Sequence, residues 1–502
     1  MSANLFDILS RSITDAAATA IETLAGDRIT YADLVVRTGQ MANALVGLGV
    51  KPGDRVAVQV EKSVEAIILY LATVRAGAVF LPLNTAYTVA EVAYFIGDAE
   101  PALFVCDPAR VADFAAIADK TGARLVTLDA NGKGSLSDAA VTARPDFATV
   151  PRNADDLAAL LYTSGTTGRS KGAMLTHGNL VSNALTLCEA WRFNKADVLI
   201  HALPIFHTHG LFVATNVTLL SGASMVLLPK FDAGLILDLM ARATVLMGVP
   251  TYYVRLLESA RLDSAATARM RLFISGSAPL LAETHREWQA RTGQAILERY
   301  GMTETNMNTS NPYEGDRVAG TVGLPLPGTE VIVTDPDNGA PLAQGEIGMI
   351  EVRGPNVFKG YWRMPEKTAA ELRANGFFIT GDLGRIDDNG YVHIVGRAKD
   401  LIITGGYNVY PKEVEAEIDD IAGVLESAVI GLPHKDFGEA VTAIVVPSGQ
   451  PVLTEADIVV AIEGRLARFK RPSRVIFVDE LPRNTMGKVQ KNVLRDRFAG
   501  SV

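Results

Sequence analysis

The sequence predicts an α/β protein of several layered units, and three observations carry that expectation. Apolar, strand-like runs alternate with stretches of helical periodicity through most of the chain, the pattern of helices laid on largely parallel sheets. The 502 residues exceed what one core accommodates, since single cores seldom grow past about 250 to 300 residues. Hydrophobic residues make up 48% and charged residues 21%, a composition that can fill such cores and is unlike that of disordered chains.

The elements follow in order. Leu34, Met41, Leu45 and Leu48 recur at helical spacing until Lys51-Pro52-Gly53-Asp54 breaks the pattern and Arg55 to Val60 reads as a strand. A helix over 62–76 and a strand over 78–81 come next, and the alternation returns at 101–107 and 223–228. Pro250 opens a further helix, and another is expected over 281–292. At Asp387-Asp388-Asn389-Gly390 the pattern becomes a hairpin, with strand-like 384–386 and 391–395 flanking the turn. A small α+β region with a proline-opened helix at 411–418 follows, which places a domain boundary at 396–400.

Charge and cysteine content exclude several classes. A net charge of −9 gives no basic surface for nucleic acid, so any anionic ligand must be held locally. Cys106 and Cys188 sit in apolar runs without the spacing of a zinc site or disulfide scaffold, as expected of buried thiols in a reducing compartment. The stretch Ala66 to Leu83 is the most apolar, but Arg75, Gly77 and Pro82 interrupt it, which suits a buried helix and strand better than a membrane span. The first residues lack the charged and apolar regions of a secretory signal, and the expectation is a soluble, cytoplasmic protein.

The chemistry is concentrated in motifs. Tyr162-Thr163-Ser164-Gly165-Thr166-Thr167-Gly168-Arg169-Ser170-Lys171-Gly172 follows an apolar run and has the composition of a phosphate cradle. Glycines turn backbone N–H groups toward an anion, hydroxyls add donors and Lys171 adds charge. It is not a G-x-x-x-x-G-K-[ST] loop, because Gly172 follows Lys171. Further blocks are Tyr300-Gly301-Met302-Thr303-Glu304-Thr305, Thr380-Gly381-Asp382, Gly396-Arg397-Ala398-Lys399-Asp400 and Pro482-Arg483-Asn484-Thr485-Met486-Gly487-Lys488.

Together, and in this order, these blocks resemble the motifs of the adenylate-forming family of acyl-CoA synthetases, luciferases and peptide-synthetase adenylation domains. The resemblance spans almost the whole chain. It implies a large N-terminal domain over 1–396 of layered α/β subdomains, a hinge at 397–400 centred on Lys399, and a small, mobile α+β domain over 401–502. It implies ATP, Mg²⁺ and coenzyme A as cofactors and co-substrates. A carboxylate is a poor acyl donor, so AMP is attached first and displaced by the CoA thiol second.

The same resemblance assigns roles. Lys488 would bind the attacking carboxylate and the α-phosphate, with His207 walling the carboxylate site. Glu304 and Thr166 would hold Mg²⁺. Thr163, Ser164, Gly165, Thr166, Thr167, Gly168, Lys171 and Thr303 would surround the phosphates. Gly276, Ser277, Ala278, Glu298, Arg299, Tyr300, Gly301 and Met302 would surround the base, with Asp382 and Arg397 on the ribose. Lys399 would be the pivot, and Gly406 would line the thiol route. Other readings stand beside these: a helix cap at Glu304, a surface ion pair of Asp382 with Arg397, and a metal pair of His207 with His209.

For the acid, the run Met302 to Ser310 and its sequel Arg317 to Gly323 are most similar to malonate-activating members of the family. A second carboxylate suits a two-pronged arginine contact. Arg255 and Ser277 are therefore assigned to it, Arg286 is a second candidate, and Met307 is expected to limit chain length. The expected substrate is malonate or methylmalonate. The alternatives are another short acid or loading of a carrier protein. Acetylation of Lys488, reversed by a deacetylase, would stop the first step.

Overall fold

The alternation resolves into two largely parallel sheets and two mainly antiparallel ones. The structure, a computed structural model, describes residues 2–163, 170–405, 407–435, 437–449, 451–484 and 487–499. Among these, the largest sheet runs Leu324–Pro325, Asn306–Ser310, Leu297–Met302, Leu272–Ser275, Val245–Gly248, Val198–His201, Ser224–Leu227, Thr19–Thr23, Arg28–Thr30. It is parallel from Leu297–Met302 to Thr19–Thr23 and antiparallel at its ends. A second sheet runs Arg124–Thr127, Leu103–Cys106, Arg55–Gln59, Val79–Pro82, Leu157–Thr163, Lys171–Thr176, with only the last pair antiparallel.

Helix Val64–Arg75 packs where the two sheets meet, and its apolar residues share a core with Ile21 and Met225 of one sheet and Val56 and Phe80 of the other. Apolar on every side, it is a core helix, which explains the hydropathy of this stretch. Truncating Leu69 or Leu71 to alanine would cost about 2–5 kcal/mol. Among the described residues, no helix is long and apolar enough to cross a membrane. Cys106 is buried and Cys188 partly so. Burial pushes their thiols up, to about 11 and about 12.

The change to antiparallel structure comes earlier than the turn at 387–390 suggests. Strands Glu330–Thr334, Gly348–Arg353, Phe378–Ile386 and Val392–Arg397 form an antiparallel sheet. Its first strand is only half buried, with the alternating pattern that one solvated face imposes. The expected hairpin is present: Asp387 accepts the N–H groups of Asn389 and Tyr391, and Gly390 takes a positive φ of 84°. From Ile402 onward a further sheet runs Tyr407–Val409, Ile402–Thr404, Gly438–Pro447, Val424–His434, with Arg474–Phe477 beside Gly438–Pro447. Helices Pro411–Asp419 and Glu455–Ile462 cover one face and Lys491–Phe498 the other, giving this region cores of its own.

Candidate active site

A cavity of about 320 Å³ opens between the C-terminal ends of the parallel strands and the segment around Lys488. Ser277, Ala278, Glu298, Arg299, Tyr300, Gly301, Asp382, Arg397 and Lys488 all line it. Residues far apart in sequence therefore meet at the strand ends, where α/β sheets place ligands.

The turn after strand Leu272–Ser275 is tight. Ser277 has a φ of +75°, an outlier for a residue with a Cβ and of the kind that collects at functional sites. A Cβ on Gly276 would lie 2.5 Å from Cζ of Arg299, so only glycine lets the guanidinium pack against this backbone. Glu298 Oε1 accepts the N–H of Leu280 at 3.1 Å, while its other oxygen is buried without a partner among the described residues. Burial pushes this carboxyl up to about 8.

The hairpin register sets Asp382 directly opposite Arg397. Arg397 Nε lies 2.8 Å from Asp382 Oδ1, and the Tyr300 hydroxyl donates to Asp382 Oδ2 at 2.5 Å. Asp382 is 4% exposed, so this is not a surface ion pair. Two protein donors already meet the carboxylate inside the cavity.

On the other side stand cations and neutral imidazoles. Arg299 is 3% exposed, and its Nε and Nη2 have no partner among the described residues. Burial pulls its pKa down to about 9. His207 is held at about 4 by burial and by the charges of Arg299 and Lys488, and His209 is pushed well below its usual value by burial and Arg299. His207 Nδ1 accepts the N–H of His209 at 3.2 Å, and His209 Nδ1 lies 3.2 Å from Ser277 Oγ. Lys488 is lowered to about 8, by burial and then by Arg397, against the pull of Asp382. Its loop is held by Asn484, whose Oδ1 accepts the Lys488 N–H at 3.0 Å. Gly487 at φ +75° sits against Thr251, whose Oγ1 would be 3.3 Å from an added Cβ.

Lys171 lies in a second cluster. Its Nζ is 3.2 Å from both Glu371 Oε2 and the Tyr361 hydroxyl. That hydroxyl is 2.7 Å from Glu371 Oε2 and 3.1 Å from Glu304 Oε1, and Lys367 also pairs with Glu371 at 2.7 Å. Glu304 is buried, and desolvation raises its pKa. Sequence reasoning missed Tyr361 and Glu371. Their only local sign is the Gly360-Tyr361-Trp362 run, which says nothing about proximity to Lys171.

Other expected residues lie elsewhere. Arg255 is exposed, its Cζ 5.8 Å from the Phe231 ring centroid, while Thr251 and Val254 of the same helix face the cavity. A long charged side chain beside that apolar face turns to water, and Arg255 is not part of the cavity lining. Arg286 is 62% exposed, 3.6 Å from Asp420, and lines a separate cavity of about 450 Å³. Met307 is buried behind Gly301, with its Cε 2.6 Å from where a Cβ there would be, and it does not line the cavity. Met302 and Thr303 are partly buried, and Thr163 pairs with Lys171 across the strand register. Lys399 is exposed in the turn Ala398–Asp400. Ser164, Gly165, Thr166, Thr167, Gly168 and Gly406 lie outside the described residues. Among the described residues, no group of three or more His, Cys, Asp or Glu stands together as a metal cage.

The profile of the AMP-binding enzyme family matches residues 12–362, and that of the AMP-binding enzyme C-terminal domain matches 413–488. The crystal structure of ATP-bound MatB from Rhodopseudomonas palustris is similar at 67% identity and a TM-score of 0.98, with 99% of each chain covered. A feruloyl-CoA synthase of Amycolatopsis sp is 38% identical, covering 94% of each chain. A malonate–CoA ligase of Arabidopsis thaliana is 35% identical, covering 91% of this chain and 80% of that one.

Proposed function

The chain belongs to the AMP-binding enzyme family, and from that premise we propose that it joins malonate or methylmalonate to coenzyme A through an acyl-adenylate. A carboxylate oxygen attacks the α-phosphorus of ATP and pyrophosphate leaves; the CoA thiolate then attacks the acyl carbon and AMP leaves. The observation that supports a diacid is Arg299, a buried guanidinium with unpartnered nitrogens beside the cavity. A buried cation without a counter-ion is costly, and the distal carboxylate of a small diacid relieves that cost. An acid with a long apolar or aromatic tail would leave it unpaired. Arg299 thus takes the role first given to Arg255, with Ser277 and His207 beside it.

The rest of the cavity suits the nucleotide. Tyr300 offers a ring to the base, the free oxygen of Glu298 can accept its amino group, and Asp382 with Arg397 is placed for the ribose hydroxyls. Glu304, a buried carboxylate near Lys171, fits Mg²⁺, which takes one or two protein carboxylates along with phosphate oxygens and water. When bound, Mg²⁺ would neutralise phosphate charge; Thr166 is its other candidate ligand. Lys488 would neutralise the two anions that meet in the first step. Rotation of 401–502 about the hinge at 397–400, pivoting on Lys399, would then withdraw Lys488 and bring Gly406 to the thiol route. A lysine acetyltransferase acting on Lys488 would block the first step alone, and a deacetylase would restore it. Detection of the CoA thioester with free CoA, rather than an acylated carrier protein, tests the acceptor.

Two further outcomes are expected. The folded pKa of Lys488, about 8, lies below its ordinary 10.5, so the ammonium form falls away as pH rises through about 8. The kcat/KM of adenylate formation, which reports the free enzyme, should decline through that range. By the same linkage the lowered pKa makes the protonated lysine cost stability below about 8, and the cost is relieved as pH rises toward 10.5. A rate profile that stays flat into the ordinary lysine range contradicts this role. Separately, Tyr361→Phe removes a hydroxyl shared by Lys171, Glu304 and Glu371, and should raise the KM for ATP by roughly tenfold. Titration with ATP at saturating malonate measures it.

A further inference from the structure

The segment carrying His207 and His209, which meets the cavity lining at Ser277, is tied to Lys62 in the loop after strand Arg55–Gln59. Lys62 precedes helix Val64–Arg75, whose N-cap Ser63 fixes the start of that helix by accepting the N–H of Ala66 at 3.2 Å. Its Nζ donates to the carbonyls of His201 at 2.7 Å and Leu203 at 2.8 Å, and stands 2.9 Å from His201 Nδ1. Burial pulls the Lys62 pKa well below its usual value, but three acceptors surround Nζ, one for each donor of an ammonium. With Nδ1 accepting from Lys62, the ring proton of His201 sits on Nε2, which is 3.0 Å from the Gly210 carbonyl and 3.1 Å from Thr215 Oγ1.

These contacts bracket the segment that carries His207 and His209. Strand Val198–His201 ends at the clamp, and the chain doubles back so closely that a Cβ on Gly210 would lie 2.0 Å from the Pro204 carbonyl oxygen. The helix that follows, His209–Thr215, is wide-turned, a form frequent at functional sites. Lys62 holds the segment at its start, and through His201 it holds the first turn of that helix.

We propose that Lys62 is a positioning residue for the acyl side of the site, fixing the segment that presents His207 and His209 without touching substrate itself. The proposal rests on the placement of the acid beside His207 and deepens it. Neither the sequence motifs nor the family comparison singles out this lysine.

The test compares Lys62→Met with the parent enzyme in pyrophosphate exchange, using the acid that the parent activates best, so that the choice of acid and the role of Lys62 fail separately. Misplacing the acid wall should raise the KM for the acid by roughly 10- to 100-fold. The KM for ATP should stay within about twofold, because the nucleotide side is held by other residues. Nitrogen chemical shifts of the histidine rings, read by NMR without substrate, should change for His201, His207 and His209. Lys62→Arg, which keeps the charge and donors, should recover most of the lost affinity. If Lys62→Met does not fold, Lys62→Gln carries the same measurements. A lowered melting temperature with unchanged acid KM and unchanged ring shifts, or equal rises in both KM values, would overturn the proposal.

Discussion

Lys488→Ala should lower malonyl-AMP formation by about 10³-fold or more, while the thioester-forming step from supplied malonyl-AMP should proceed close to the parent rate. The size follows from what is removed. Two anions meet in the first step, in a cavity where burial strengthens each charge interaction, and loss of one preorganised donor typically costs about 10²- to 10³-fold. A cationic donor serving both partners stands at the upper end. The second step joins a thiolate to a mixed anhydride and needs no such neutralisation. Pyrophosphate exchange measures the first step, and single-turnover mixing of malonyl-AMP with CoA measures the second. Equal losses in both would mean that Lys488 acts by holding the fold. Its loop lies on the outside of the C-terminal region, and Gly487 meets Thr251 only by close approach, so little packing is lost with the side chain.

Arg299→Met should abolish the preference for malonate over a monocarboxylate of similar length. Truncating one member of a buried, hydrogen-bonded charge pair costs about 2–5 kcal/mol, or roughly 30- to 5,000-fold in kcat/KM for malonate. Use of propionate should change far less, since it makes no such pair. The variant is expected to melt no lower than the parent, because Arg299 is a buried guanidinium with two nitrogens unpartnered among the described residues. Arg255→Ala is the control, and with its exposed side chain over Phe231 it should leave malonate kinetics nearly unchanged. A malonate-specific loss in the Arg255 variant, with none in the Arg299 variant, would restore the earlier assignment.

The fold was legible where period and punctuation agreed. Helix Pro250–Leu257 and helix Pro411–Asp419 begin at their prolines, and Arg55–Gln59, Val79–Pro82 and the turn at 387–390 lie where alternation and turn residues put them. The strands Glu330–Thr334 and Gly348–Arg353 of the antiparallel sheet were missed, because half-buried strands joined by long connections carry a weak pattern. In the site, the blocks around Tyr300, Asp382, Arg397 and Lys488 converge on one cavity, as their chemistry required. Two kinds of residue were not legible. Which side of an element a charge takes depends on its neighbours: Arg255 turns outward, while Arg299, one position from Tyr300 on a strand, points to Gly276. Networks assembled from distant segments, such as Lys171 with Tyr361 and Glu371 or Lys62 with His201, leave no spacing to read.

Adenylation of a small diacid followed by its transfer to sulfur is tested most directly by competition between acids. Purified protein is incubated with ATP, Mg²⁺, CoA and equal amounts of malonate, propionate, succinate and ferulate, and the thioesters and nucleotides are resolved by mass spectrometry. Malonyl-CoA should dominate, with AMP and pyrophosphate formed in equal measure. Feruloyl-CoA or propionyl-CoA as the leading product, or ADP in place of AMP, would contradict it.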